Sequence, residues 1–284
     1  MELPHKEKIL ILVKTYPTKS KKYVETVCTA GIREDGSWIR IFPITFRRLE
    51  DYLKYKKYQW IECNLYKTEN DNRPESYHID DINSITLGDI IESSDNWMTR
   101  RRIILDKVKI FTKISDLLKF SNENIGSLAT FKPTDVTFSY EKAKDDEEDD
   151  ENIEKSQLAQ WDLFEDNDWR INFKGVEKIP YNFYYEITDD DGVKFKHKII
   201  DWEINALFYK QRNRYGEEKA LHDVIKQYGE LFLNKDKIDL YLYLGTMKEF
   251  HQRNFPDPWI IIGVAPFKKL NQNNESTLNH KDTI

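Results

Sequence analysis

The chain reads as an α+β protein: a closed antiparallel β-barrel at the N-terminus, then a β-sheet carrying two amphipathic helices. Three observations predict this. The turn Arg33-Glu34-Asp35-Gly36 separates two β-rich runs, YVETVCTAGI and SWIRIFPI, and an Asp-Gly there supplies the positive φ of a tight hairpin. The same signal returns at Asp189-Asp190-Asp191-Gly192, between alternating segments 181–187 and 193–200. Long helical periodicity is confined to the stretch after residue 200, where apolar residues recur every three or four positions.

The first half divides into short strands. Residues 8–16 are rich in Ile, Leu and Val, and 23–32 with 37–44 form the hairpin. Residues 46–55 are expected as a short helix. QWIECNLYK (59–67) alternates as a strand and 76–79 is another. The segment 96–111 contains TRRRIILDKVKIF, 114–120 is read as helical, and 128–140 returns as a strand. Five strands and little helix fit an oligonucleotide-binding (OB) barrel. In the second half, Asp201 is placed to cap a helix with Trp202, Ile204, Leu207 and Phe208 on one stripe. Gly216 is a C-cap, and 217–233 is a second amphipathic helix with Ala220, Val224, Ile225, Tyr228, Leu231 and Phe232 at helical spacing. Strands at 238–245 and 259–264 complete the sheet. The expected division is a barrel over 1–141, an acidic linker over 142–158, a sheet-plus-helices domain over 159–268 and a disordered tail over 269–284.

Composition narrows the function. Aromatic residues make up 13% of the chain and charged ones 33%, which describes a folded protein with a solvated surface. There is no apolar run of membrane-spanning length, and the apolar stretch after MELPHKEK is too short for a secretory signal, so a cytoplasmic protein without a membrane partner is expected. Cys28 and Cys63 lie in strands, outside any CxxC pair, so neither a disulfide nor a zinc site is expected. The formal charge is −6. Residues 145–154 alone hold eight carboxylates, however, and without those eight the charge of −6 becomes +2. Residues 1–57 hold thirteen Lys/Arg against seven Asp/Glu. Local field matters more than the total for a polyanion. The acidic run is either a solvated loop or a tether that mimics nucleic acid over a basic groove.

Cations and aromatics around the first hairpin make the candidate site. Lys19, Lys21, Lys22, Arg40, Arg47 and Arg48 would neutralise phosphates, and Tyr16, Tyr23 and Trp38 would stack bases, as single-strand binding requires. Arg212 and Arg214, in the run Tyr209–Tyr215, form a second cluster, although the helix dipole alone accounts for cations at a helix end. Arg100-Arg101-Arg102 is a third. No phosphate-cradling Gly-rich loop is present. Asp201-x-Glu203 followed by Glu217-Glu218-Lys219 is the nearest thing to a metal-dependent nuclease core, but helix starts attract acids for electrostatic reasons. No cofactor, metal or catalytic residue is therefore expected.

The string ETVCTAGIREDGSWIRIFP, through Cys28, Ala30, Gly31, Ile32, Trp38, Ile39 and Arg40, resembles bacterial proteins with a dual OB-type domain. IIDWEINALFY and LYLYLGTMKEFHQRNFPDPWIIIGV likewise resemble stretches of an uncharacterised group. The resemblance implies a nucleic-acid-binding barrel linked to anti-phage defence and implies no activity; the function expected is nucleic-acid recognition, as the sensor or specificity subunit of such a system. A protein-interaction subunit of a larger complex and a metal-dependent nuclease are the alternatives.

Overall fold

The computed structural model describes residues 3–20, 24–46, 49–67, 70–143, 179–253 and 255–269. The expected acidic run and C-terminal tail therefore lie outside the described residues, apart from the flanking positions 142–143 and 269.

The first hairpin is formed by β3 (Val24–Ile32) and β4 (Trp38–Ile44), after β1 (His5–Lys14) and β2 (Thr18–Ser20). Gly36 takes φ +86°, and the Asp35 carboxylate accepts from both the backbone N–H and the hydroxyl of Ser37. Strands β5 (Gln59–Tyr66), β6 (Ser76–Ile79) and β7 (Thr86–Ile90) follow. The pairing runs β1-β3-β4-β6-β5 and returns to β1, with β4 and β6 parallel. With β1, β3, β4, β5 and β6 counted one to five, the order is 1-2-3-5-4-1, which is the OB barrel. Its interior holds Ile9, Ile11, Val27, Ile39, Ile41 and Ile61 among others. β1 crosses β3 so closely that a Cβ on Gly31 would stand 2.2 Å from the Leu10 carbonyl oxygen, so glycine is required there. Instead of the helix expected at 46–55, the described residues show a 3-10 turn at Asp51–Leu53, because Phe46, Leu49, Leu53 and Tyr55 all turn into the barrel core.

The sheet of the second half also closes into a barrel. After α1 (Met98–Leu105), β8 (Ile110–Phe111) and α2 (Ile114–Asn122), the strands are β9 (Leu128–Phe131), β10 (Asp135–Lys142), β11 (Tyr181–Thr188) and β12 (Lys194–Lys198). Then come α3 (Trp202–Tyr215), α4 (Glu217–Val224) extended by a π turn (Ile225–Leu231), β13 (Ile238–Thr246), α5 (Lys248–Gln252) and β14 (Trp259–Lys268). β9 and β10 act as one strand broken at Pro133: β9 pairs with β13 and β10 with β11. β11 pairs with β12 and β13 with β14, while a parallel bridge, Ile199 to Ile261, joins the two sheets. Counted this way the order is again 1-2-3-5-4-1. Ile204, Phe208, Ala220, Val224 and Tyr228 from the helices plug the barrel core.

These pairings redraw the expected domains. Residues 110–142, expected with the first barrel, pair with strands of the second, so the changeover falls between α1 and β8. The acidic run is an insertion between paired strands β10 and β11, not a linker between domains; the Ala143 N–H donates to the Pro180 carbonyl at its base. No helix among the described residues is long and apolar enough to cross a membrane.

The outer side of β1 and β3 carries Leu10, Leu12, Ala30 and Ile32, and it packs on Tyr241, Tyr243, Ile262 and Phe267 of β13 and β14. A buried polar network frames this apolar seam. Arg40, 2% exposed, donates from Nη1 to Ser76 Oγ at 3.1 Å and Ser127 Oγ at 2.6 Å, and from Nη2 to the Ser127 carbonyl at 3.1 Å. Arg73 reaches the Thr246 carbonyl at 2.7 Å while its other edge binds Asp71. Burial works to raise the Asp71 carboxyl, but the Arg73 hydrogen bonds and charge outweigh it and hold it at about 2. Deleting a buried charged donor strands its acceptors. Arg40→Ala should therefore cost roughly 2–4 kcal/mol in chemical denaturation, whereas exposed Arg214→Ala should stay within about 0.5 kcal/mol.

Candidate nucleic-acid interface

An OB barrel binds oligonucleotides on the outer face of its second and third strands and the flanking loops. In the first barrel that face is β3–β4, and the second barrel covers it. Arg40 is not a surface cation: it lies in the seam just described, and outward-pointing alternation put it there. Trp38, expected to stack bases, is half-buried edge-on against Tyr243 at 5.4 Å. Trp38 and Ile39 do point to opposite faces, toward the seam and the barrel interior respectively.

The equivalent face of the second barrel, β10–β11–β12, carries a row of cations. In β12 (KFKHK), His197 turns inward while Lys194, Lys196 and Lys198 alternate outward and are exposed. The register sets Lys198 beside Tyr184, Lys196 beside Glu186 and Lys194 beside Thr188. Lys196 pairs with Glu141 at 2.5 Å and lies over the Tyr184 ring at 4.4 Å; Lys194 is 3.8 Å from Glu186. Lys198 has no carboxylate partner among the described residues. Ion pairs this exposed are weak enough for a polyanion to exchange. The sequence reading missed these lysines, although their strict alternation after the DDDG turn was the available signal.

At the end of this row the two barrels meet again. Thr15 bridges to Asp201, and the Tyr16 N–H donates to the Ile200 carbonyl at 2.9 Å. This brings together two clusters far apart in sequence. Tyr16 is stacked on Tyr209 with centroids 6.1 Å apart and planes at 19°, and tilted toward Trp202 at 6.3 Å. Arg212 lies over Tyr209 at 5.0 Å, and Arg214 is exposed in the same last turn of α3. Lys19 belongs to β2, opposite Glu25. Lys21, Lys22, Tyr23, Arg47 and Arg48 lie outside the described residues. Arg100 stacks on Tyr58 at 4.1 Å and donates to the Ile91 carbonyl.

Of the acids considered as a nuclease core, Asp201 and Glu203 are otherwise engaged. Asp201 caps α3 through the Glu203 N–H and accepts from the Val264 N–H; Lys57 pairs with Glu203 at 2.9 Å and lies 3.5 Å from Asp201. Burial raises the Asp201 carboxyl, while for Glu203 the Lys57 charge outweighs burial and lowers it. No three His, Cys, Asp or Glu side chains among the described residues are grouped to hold a metal ion. His251 is buried between Thr246 and Asn124, and burial, then the Arg73 charge, lowers its pKa.

A tandem OB-barrel protein is the class these features define. The chain belongs to the family described as Domain of unknown function (DUF8757), whose model matches residues 111–281; a second model, Domain of unknown function (DUF8758), matches residues 5–106. The two models change over where the barrels do. No curated protein matches the chain. Similar solved structures include one titled the tetrameric p202 HIN2, at 10% identity and TM-score 0.29, covering 95% of this chain and 96% of that one. Another is a murine DNA binding protein bound with ds DNA, at 10% identity and TM-score 0.29, covering 94% and 97%. A likeness this loose carries no residue-level correspondence.

Lys14, beneath the aromatic junction, has an unusual setting. Its ammonium lies 4.5 Å from the Phe46 ring centroid and 5.5 Å from that of Trp202, and it donates to the Tyr55 carbonyl. Burial pushes its pKa down from 10.5 to about 8. Below that value the folded protein bears the cost of a half-buried charge. Between about 8 and 10.5 the unfolded chain keeps a proton that the folded state has released, so stability rises with pH. Lys14→Met should remove that rise and stabilise the protein at neutral pH by at most about 3 kcal/mol, read from denaturation midpoints across the window.

Proposed function

We propose that this protein binds single-stranded nucleic acid along the open β10–β11–β12 face of its second barrel. The observation that carries the reading is the row Lys194, Lys196 and Lys198 beside Tyr184, on the face that OB barrels use and the first barrel has closed. Lysines spaced two residues apart on a strand follow a phosphate backbone, and a ring among them offers a base a stacking surface. The aromatic junction of Tyr16 and Tyr209, with Arg212 and Arg214, extends the path toward the first barrel. Lys19, Lys21, Lys22 and Tyr23, near Tyr16 in sequence, and Arg47 and Arg48, next in sequence to Phe46, belong to the same proposal as a second contact region. Service as the sensor or specificity subunit of an anti-phage system is its finer form, resting on the ETVCTAGIREDGSWIRIFP resemblance.

Fluorescence anisotropy with labelled single strands across a salt series tests this. Reversing Lys194 and Lys198 to Glu should weaken binding at least roughly tenfold and make the salt slope shallower by about 1.4, since each lost contact removes about 0.7 of counterion release on a single strand. Thermal stability should hardly change. If the wild-type protein binds neither single- nor double-stranded DNA or RNA at low salt, the reading fails, and an acidic protein partner for the same lysines takes its place.

A further inference from the structure

A cavity of about 420 Å³ opens between α1, the β9–β10 break and the start of β13. Small-molecule sites span roughly 300–1,000 Å³. We propose that it is a phosphate-monoester site, sized for a nucleotide: either a free mononucleotide or the phosphorylated end of a strand. The inference does not depend on the lysine-row reading.

The charge of the walls selects the ligand. Arg101, Lys132, Lys235 and Lys269 line the cavity, with two carboxylates, Asp135 and Asp239. Four cations against two anions leave +2, which matches the −1.5 to −2 or so that a phosphate monoester carries at neutral pH. The internal pairs hold the cations in place without using them up. Asp239 receives Arg101 Nη2 at 2.6 Å and lies 3.1 Å from Lys132 Nζ; Asp135 pairs with Lys235 at 2.7 Å. Burial acts to raise the Asp239 carboxyl, but hydrogen bonds from Arg101 and Lys132 overcome it and lower it, so it stays ionised.

One donor is left over. Arg101 Nη1 is buried with no hydrogen-bond partner. Burying a guanidinium N–H without an acceptor is costly, and a turn of the guanidinium toward the cavity would bring this sealed N–H to a phosphate oxygen. Lys269, exposed at the rim, has no carboxylate partner among the described residues. Apart from Thr134, the remaining wall is apolar: Pro133, Val136, Leu233, Ile238 and Leu240, with the half-buried Phe232 ring available to a base. A cationic end facing an apolar, aromatic wall matches a nucleotide better than inorganic phosphate.

Calorimetry on the full chain with 5′-AMP and adenosine tests the site, alongside anisotropy with an oligonucleotide bearing a 5′-phosphate or a 5′-hydroxyl. AMP should bind at least roughly tenfold tighter than adenosine, and Arg101→Gln and Lys269→Glu should each erase most of that preference. Lys269→Glu, at an exposed position, keeps the test valid if Arg101→Gln unsettles the fold. Preference for AMP with indifference to the strand end identifies a free nucleotide as the ligand; preference for the 5′-phosphorylated strand identifies the strand end; either supports the site. Equal or absent binding of AMP and adenosine, together with indifference to the 5′-phosphate, overturns it. Oligonucleotide binding that still depends on Lys194 and Lys198 would in that case leave the lysine-row reading standing.

Discussion

The buried Arg40 guanidinium, held by Ser76 of one barrel and Ser127 at the edge of the other, is the interaction on which the rest of the molecule depends. Burial and the neighbouring Arg73 charge both oppose a cation there. Glu75 offsets them: its Oε1 accepts the Ser127 and Leu128 N–H groups, and its backbone carbonyl accepts the Arg40 N–H. A charge so fully desolvated is tolerated only when its donors are satisfied. The network therefore fixes the orientation of the barrels, while the apolar seam of Leu10, Leu12, Ala30, Ile32, Tyr243 and Phe267 supplies most of the adhesion.

That orientation has a functional consequence. Two copies of one topology lie back to face, so the strands that bind ligand in a solitary OB barrel become packing surface in the first and stay open in the second. The segment after β12, Ile199 to Asp201, is where this open face runs up to the first barrel, through the Tyr16–Ile200 hydrogen bond and the Thr15–Asp201 bridge. A strand following Lys194, Lys196 and Lys198 would meet the stacked Tyr16–Tyr209 pair next. On the proposed reading the first barrel is the scaffold and the second binds, and Arg40 serves the seam instead of solvent.

Much of the fold was legible because its signals are local. The Asp35-Gly36 and Asp191-Gly192 turns, the Asp201 cap and the Gly216 stop each act within a few residues. Closure of the second barrel was not, because it rests on short β9 and on a single parallel bridge between Ile199 and Ile261, far apart in the chain. With Ile39 and Ile41 in the barrel core, alternation turns Arg40 outward, but no local signal says what lies outside. For the site, Tyr16 and Arg212 belong to clusters far apart in sequence, and only tertiary pairing through Ile200 joins them. The lysines of β12 are legible from their alternation, but the denser cationic composition of the first hairpin outweighs that signal.

Photo-crosslinking of a thiouridine-containing single strand, followed by peptide mass spectrometry, tests the division between a covered and an open OB face most directly. Crosslinks should fall within residues 181–214, at Tyr184 and near Tyr209, and spare the peptide that carries Trp38 and Arg40. Crosslinks concentrated on residues 38–44, with none in 181–214, would contradict it.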